Sequence, residues 1–461
     1  MEAPIPGWRR FTYMEPLAFA LFFAFSVSDN VMTDFIVYRM CKSMSSLNNS
    51  ECDILHENSS SKEAIIVEKL VQPHTGLILV LKSCIETIFP TIMSLFLGPW
   101  SDKNGRKPLL IFPFTGLILY YATITCLSSI DVNIYWLLLS SIPFSLLGGF
   151  PAILLTFFCY TTDISNNQNR AWHLACLDTT MFAGLLAGLF VGPMVFKQYG
   201  YIAVFSLSTL LCFLALLYSI LFVKETIEND NMRTLRSVFD ISLVKELFCA
   251  VTKQRNGFDR YLVWSCISAI ALHIVIIEGN SSISFLFASS KLGWNITDFS
   301  IYSGTHILIS IVGMLFLIKF IGSFLRLPDT FIIVLSCLSN SAACLTKGFV
   351  YKSWQMYFSS GIGMFSSTAI PMIRAIISKS VPPNDVGKTF SLTTTMEMIV
   401  PFASTPLYIF IYTRTLSQYP CPVWFLSAVL PIVIIMLAII IEHRWRKLKN
   451  TEYTPFMNNF N

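Results

Sequence analysis

Gly98-Pro-Trp-Ser-Asp-Lys-Asn-Gly-Arg-Lys107 is the stretch that decides the fold. It follows one apolar run, 75–97, and leads into another, 109–129. Gly98 and Gly105 let the chain turn tightly between them. Asp102 can pair with Arg106 or with a cation on a neighbouring helix end. Each flanking run is long enough for a membrane crossing, which takes about 20 apolar residues.

The rest of the chain repeats that alternation. Of its 461 residues 54% are hydrophobic and 13% are charged, against roughly 25% charged in soluble domains. The mean hydropathy is +0.62. So few charges cannot cover a soluble protein of this size, which excludes soluble enzymes, nucleic-acid binders and disordered chains. Apolar runs occupy 16–38, 75–97, 109–129, 134–160, 171–195, 202–223, 261–288, 299–321, 329–346, 354–378, 389–412 and 423–442. The expected architecture is all-α and integral to the membrane, with twelve crossings. The long polar, basic segment 224–260 divides it into an N-terminal six-helix bundle (1–223) and a C-terminal one (261–442), with a tail at 443–461. Two pseudo-symmetric bundles place a solute site between them near the midplane.

Loop charge sets the orientation. With both termini cytoplasmic, 21 of the 32 Lys and Arg lie on the cytoplasmic side, nine lie opposite, and Lys82 and Arg374 fall inside helices. Cationic loops face the cytoplasm. The Asn-x-Ser/Thr sequons at Asn48, Asn58 and Asn295 then all fall outside, where glycosylation occurs. Most of the 12 Cys sit in apolar runs and behave as small hydrophobes. No metal-ligand spacing, cofactor motif or catalytic signature is visible. Asn384-Asp-Val-Gly-Lys-Thr389 fails as a phosphate loop, because Pro382 stands where its first Gly is required.

The ten-residue turn resembles the G-x-x-x-D-x-x-G-R-[RK] motif of the major facilitator superfamily, carried by Gly98, Asp102, Gly105, Arg106 and Lys107. The resemblance implies a gating role for that turn. Further segments resemble the proton-coupled folate transporter family (solute carrier family 46). They are Met14-Glu-Pro16, Thr161-Thr-Asp-Ile-Ser165 with Arg170, Ala175-Cys-Leu-Asp178, the span from His273 to Glu278, and Ile370-Pro-Met-Ile-Arg374. Members of that family differ in cargo, so the resemblance does not imply folate. The family often pairs a first-loop Cys with one in the fourth outer loop, but Gly293 stands at that place here. Cys52 therefore lacks that partner, and pairing with Cys41 stays open.

Ionisable side chains inside membrane helices are expensive and usually face a bundle interior or a wet cavity. Lys82 and Glu86, four apart, can form an intrahelical pair. Asp178 reads either as a proton carrier or as a structural acid near the interface. His273 and Glu278, five apart, lie on related but different faces; a free histidine titrates near pH 6.5. Arg374 needs a counter-charge, either a neighbouring acid or an anionic substrate, and Glu397 is a candidate partner for it or for Lys82. Gly184, Gly188 and Gly192 repeat every four residues, a pattern that permits close helix packing. Tyr453-Thr-Pro-Phe456 resembles a sorting signal for endosomes or lysosomes.

The expected function is proton symport of an organic anion by alternating access, in the plasma membrane or an endosomal or lysosomal membrane. Proton coupling falls to Asp178, His273 and Glu278, and substrate binding to Arg374, Lys82 and Glu397. The expected partners are a small anionic solute, protons and the lipid bilayer, with no nucleic acid, cofactor or metal. A facilitative carrier, an antiporter and a non-transporting receptor of the same fold remain as alternatives.

Overall fold

The computed structural model describes residues 14–44, 52, 62–130, 133–166, 168–226, 240–252, 259–294, 296–322, 324–325, 327–382, 385–415 and 421–457. The asparagines of the three sequons lie outside them, and the side chain of Tyr453 is likewise not described.

The first half begins with α1 (Glu15–Ser43), α2 (Lys62–Asn104) and α3 (Lys107–Ser129). A proline in the first turn of α1 suits a helix start, and Glu15 there faces the positive end of the helix dipole. α4 (Trp136–Leu146) and α5 (Gly149–Ile164) form one crossing, interrupted where Gly148 and Gly149 take left-handed φ of 104° and 56°. α6 runs Arg170–Leu221, 52 residues. A straight helix that long would reach about 78 Å, far beyond a hydrocarbon core of about 30 Å. Gly200, at φ 74° and ψ −170°, breaks it into two. Eleven helical stretches are long and apolar enough to cross a membrane among the described residues. Dividing α6 at Gly200 gives the twelve crossings read from the sequence.

The second half holds α8 (Arg260–Leu292), α9 (Ile296–Leu315), α10 (Asp329–Gly348), the crossing made by α11 (Ser353–Ile362) and α12 (Ala369–Ser380), then α13 (Val386–Arg414) and α14 (Pro422–Met457). Asp259 caps α8 by accepting from the N–H groups of Tyr261 and Leu262. α14 continues into the segment expected to be a tail, where Arg446 and Glu442 pair at 2.6 Å one turn apart.

α7 (Ile241–Thr252) lies inside the connecting segment, which was expected to be merely polar and basic. It buries Leu243, Leu247, Ala250 and Val251 against α2 and α13. Cys41, near the end of α1, is disulfide-bonded to Cys52, with Cα atoms 5.8 Å apart.

Within the first half α1 packs along α6, and the glycine ladder sets how closely. A Cβ on Gly184, Gly188 or Gly192 would come within 2.8 Å of Phe19 O, 2.9 Å of Phe23 O and 2.6 Å of Val27 O respectively. The packing reading of that repeat is the one the geometry fits. Within the second half α10 packs on α14, and α8 on α13 and α14. The halves meet mainly through α2 and α5 against α13, and through α6 against α9 and α12.

Candidate functional site

The turn after α2 is a junction between the halves. Gly105 takes φ +103°, a conformation open to glycine. That directs Arg106 inward, where it is 1% exposed. Its guanidinium donates to Asp102 Oδ1 at 2.7 Å, Ser101 Oγ at 2.6 Å and Asp163 Oδ2 at 3.1 Å. Glu225 accepts from the backbone N–H groups of Arg106 and Lys107, capping the start of α3. Asp102 does more than pair with Arg106. Its carboxylate accepts from Gly387 N at 3.1 Å and Lys388 N at 3.0 Å, so it caps α13 across the interface. A carboxylate at a helix N-terminus meets both unsatisfied donors and the positive end of the dipole. Gly98 lies against Ser391 and the Gly387 carbonyl, where any Cβ would collide.

Other contacts join the halves at the same end. Ser94 and Thr395 hydroxyls are 2.7 Å apart, Ser391 donates to the Ser94 carbonyl, and Arg170 donates to Ser378 O at 2.9 Å. Glu246 on α7 adds an ion pair to Lys103 at 2.6 Å. The structure is thus fastened at the end that carries the Asp102 turn.

Deeper in, three candidate residues come together from three crossings. Arg374 on α12 donates to Glu397 Oε1 on α13 at 2.7 Å, and its Nη1 lies 3.6 Å from Asp178 Oδ1 on α6. The guanidinium sits over the Phe158 ring, 3.7 Å from its centroid. Asp178, Arg374 and Glu397 are 9%, 6% and 7% exposed. Two carboxylates and one guanidinium, if all are ionised, leave one uncompensated negative charge in an apolar setting. The Arg374–Asp178 contact crosses between the halves.

Four residues beyond Asp178, about 6 Å along the helix, Phe182 lines a cavity of about 350 Å³. Its other walls come from α8 to α11 and the link between α11 and α12, and include His273, Asn280, His306, Asn340 and Lys347. The cavity lies toward the end opposite the Asp102 turn. His273 is 1% exposed, and its Nδ1 has no hydrogen-bond partner. Glu278 is half-buried and is not among the lining residues, and no hydrogen bond or ion pair joins it to His273 among the described residues. Lys82 pairs with Glu86 at 2.8 Å beside Tyr120 and Asp29, in a separate small cavity of the first half. Ser141 also donates to Glu86. Glu397 therefore serves Arg374 and not Lys82.

Sequence reasoning missed Lys347. The apolar run was ended at Thr346, which left Lys347 in an outer loop, yet it stands in the last turn of α10 and is 8% exposed. The polar stripe Asn340, Cys344 and Lys347, spaced i, i+4 and i+7 on one helix face, was the signal available.

Residues 74–405 match the profile of the Major Facilitator Superfamily. The chain belongs to that superfamily. It is a membrane transporter of this fold and not an enzyme. It resembles solute carrier family 46. The "Probable peptidoglycan muropeptide transporter SLC46" of Drosophila melanogaster is 28% identical over 88% of this chain and 81% of that protein. The "Proton-coupled folate transporter" of Bos taurus is 24% identical over 88% and 86%. The "Lysosomal proton-coupled steroid conjugate and bile acid symporter SLC46A3" of Gallus gallus is 23% identical over 92% of each. Among solved structures, the human organic anion transporter MFSD10 (TETRAN) superposes with a TM-score of 0.71, covering 94% of this chain and 100% of that one at 12% identity. That likeness speaks to the superfamily fold.

Proposed function

We propose that this superfamily member carries an organic anion together with protons by alternating access. The observation that carries the reading is the buried cluster of Asp178, Arg374 and Glu397, which spans the two halves one helical turn from the cavity. Taking up one proton would bring the cluster from a net single negative charge to neutrality. A proton on Asp178 would also remove its pull on Arg374, the charge contact that crosses between the halves. Protonation would thereby favour one arrangement of the halves over the other, which is what coupling requires. The names of the relatives support proton coupling and organic cargo.

The two moving units are the bundles of residues 1–223 and 261–442, tied by 224–260. The excess of Lys and Arg supports a cytoplasmic position for the Asp102 turn and both termini. On that reading the structure is closed toward the cytoplasm and its cavity lies on the outer side. The membrane is the cell surface or an acidic organelle, where a proton gradient can drive the solute.

The test is uptake of folate, glycocholate and a muramyl dipeptide into proteoliposomes with about pH 5.5 outside and about pH 7.5 inside. Accumulation of at least one acid that collapses with a proton ionophore is expected. Equal uptake with and without the gradient, and no proton movement alongside the solute, would remove the symport reading.

A further inference from the structure

Three cations are buried among the described residues: Arg106, Lys347 and Arg374. Arg106 has Asp102 and Asp163, and Arg374 has Asp178 and Glu397. Among the described residues no carboxylate lies within ion-pair distance of Lys347. Its Nζ lies 5.2 Å from the centroid of the Trp424 ring, it shares a side-chain hydrogen bond with the Tyr302 hydroxyl, and Cys344 and His306 are further polar neighbours. The ring face and the carbonyl end of α10 supply partial negative charge. Neither is a full counter-ion, and a buried ammonium is costly without one.

A purely structural lysine would be expected to fold back on an acid or on backbone oxygens. This one lines the cavity of about 350 Å³, within the range of small-molecule sites, about 300–1,000 Å³. Polar atoms without a partner line the same space. His273 and His306 both border it, and each leaves a buried Nδ1 without a hydrogen-bond partner. The lining also includes amide and hydroxyl groups and aromatic rings.

We propose that Lys347 is the acid-recognising pole of a solute subsite in this cavity. It receives the carboxylate of an organic acid whose amide or hydroxyl groups lie against Asn280, Asn340 and Ser284 and whose apolar face rests on Phe182 and Phe299. This deepens the transport reading by separating two tasks. Lys347 holds the solute's charge, while Arg374, already engaged by two protein carboxylates, serves the proton. The solute class is an amphipathic carboxylic acid rich in hydrogen-bonding groups.

The experiment is equilibrium binding to the purified full-length protein, with no gradient. The probes are folate, glycocholate and N-acetylmuramyl-alanyl-isoglutamine, each beside its methyl ester. At least one acid should bind the wild type about tenfold or more tighter than its ester, as expected for a charge-assisted contact. Lys347→Met should erase that preference and Lys347→Arg should keep it, with thermal melting of both close to wild type. The proposal is overturned if Lys347→Met keeps the acid preference. It is overturned equally if the wild type prefers none of the three acids to its ester, a comparison that needs no variant to fold. A protein that prefers an acid yet accumulates nothing under a proton gradient would remove the transport reading alone.

Discussion

Arg374 is held by a hydrogen-bonded carboxylate on one side, a second carboxylate on the other and an aromatic ring across its face. Replacing it leaves two buried acids facing each other with nothing between them. Arg374→Ala should therefore lower solute uptake by about a hundredfold or more, the scale of removing one partner of a buried ion pair. Surface labelling of the variant would check that it still reaches the membrane. Uptake near the wild-type level would show that the cluster is structural filler. The sequence showed each of these three residues as a charge out of place in an apolar run. It could not show that they meet, because Asp178, Arg374 and Glu397 come from three crossings and only tertiary packing joins them. Lys347 was hidden for a different reason. Judged by hydropathy, a lysine followed by glycine at the end of a run looks like the start of a loop, whereas in the structure the helix carries it two residues further and turns it inward.

At the scale of elements, close approach between helices does the positioning. Asp178 and Phe182 reach the centre because α6 lies tight on α1, and the glycine ladder permits that contact. Gly188→Leu would drive a side chain into Ser26 and the Phe23 carbonyl, an overpacking that costs about 1–3 kcal/mol or more. The expected result is a lower melting temperature and reduced transport. Gly361→Ala, where no atom lies within 4 Å, is the control expected to lose nothing. The twelve crossings were legible because each carries a long apolar run, a signal summed over many residues. α7 was not, because its four buried apolar residues sit in a short, charged segment and gain meaning only from α2 and α13 beneath them. The Asp102 turn was legible as a motif. Its second role, capping α13 from the other half, depends on residues 285 and 286 positions away.

At the scale of the whole molecule, contacts at one end and a cavity toward the other fit the proposed alternating access, as a carrier in one of two arrangements. The latch at the closed end combines the Asp102 cap on α13, the Ser94–Thr395 contact and the Arg170–Ser378 bond, with the Asp178–Arg374 ion pair deeper in. Two carboxylates among these contacts, Asp102 and Asp178, can take a proton, and Asp178 is the one in the central cluster beside the cavity. Solute need not break the others one by one. It needs only to bind one arrangement better than the other. The central claim is that protonation of this cluster ties solute movement to the proton gradient. Asp178→Asn tests it most directly, because the amide fixes the uncharged state while keeping the shape. In proteoliposomes loaded with a transported acid, the variant should still exchange internal for external solute at equal concentrations. It should fail to concentrate that solute when a proton gradient is imposed. Gradient-driven accumulation by Asp178→Asn equal to that of the wild type would contradict the account.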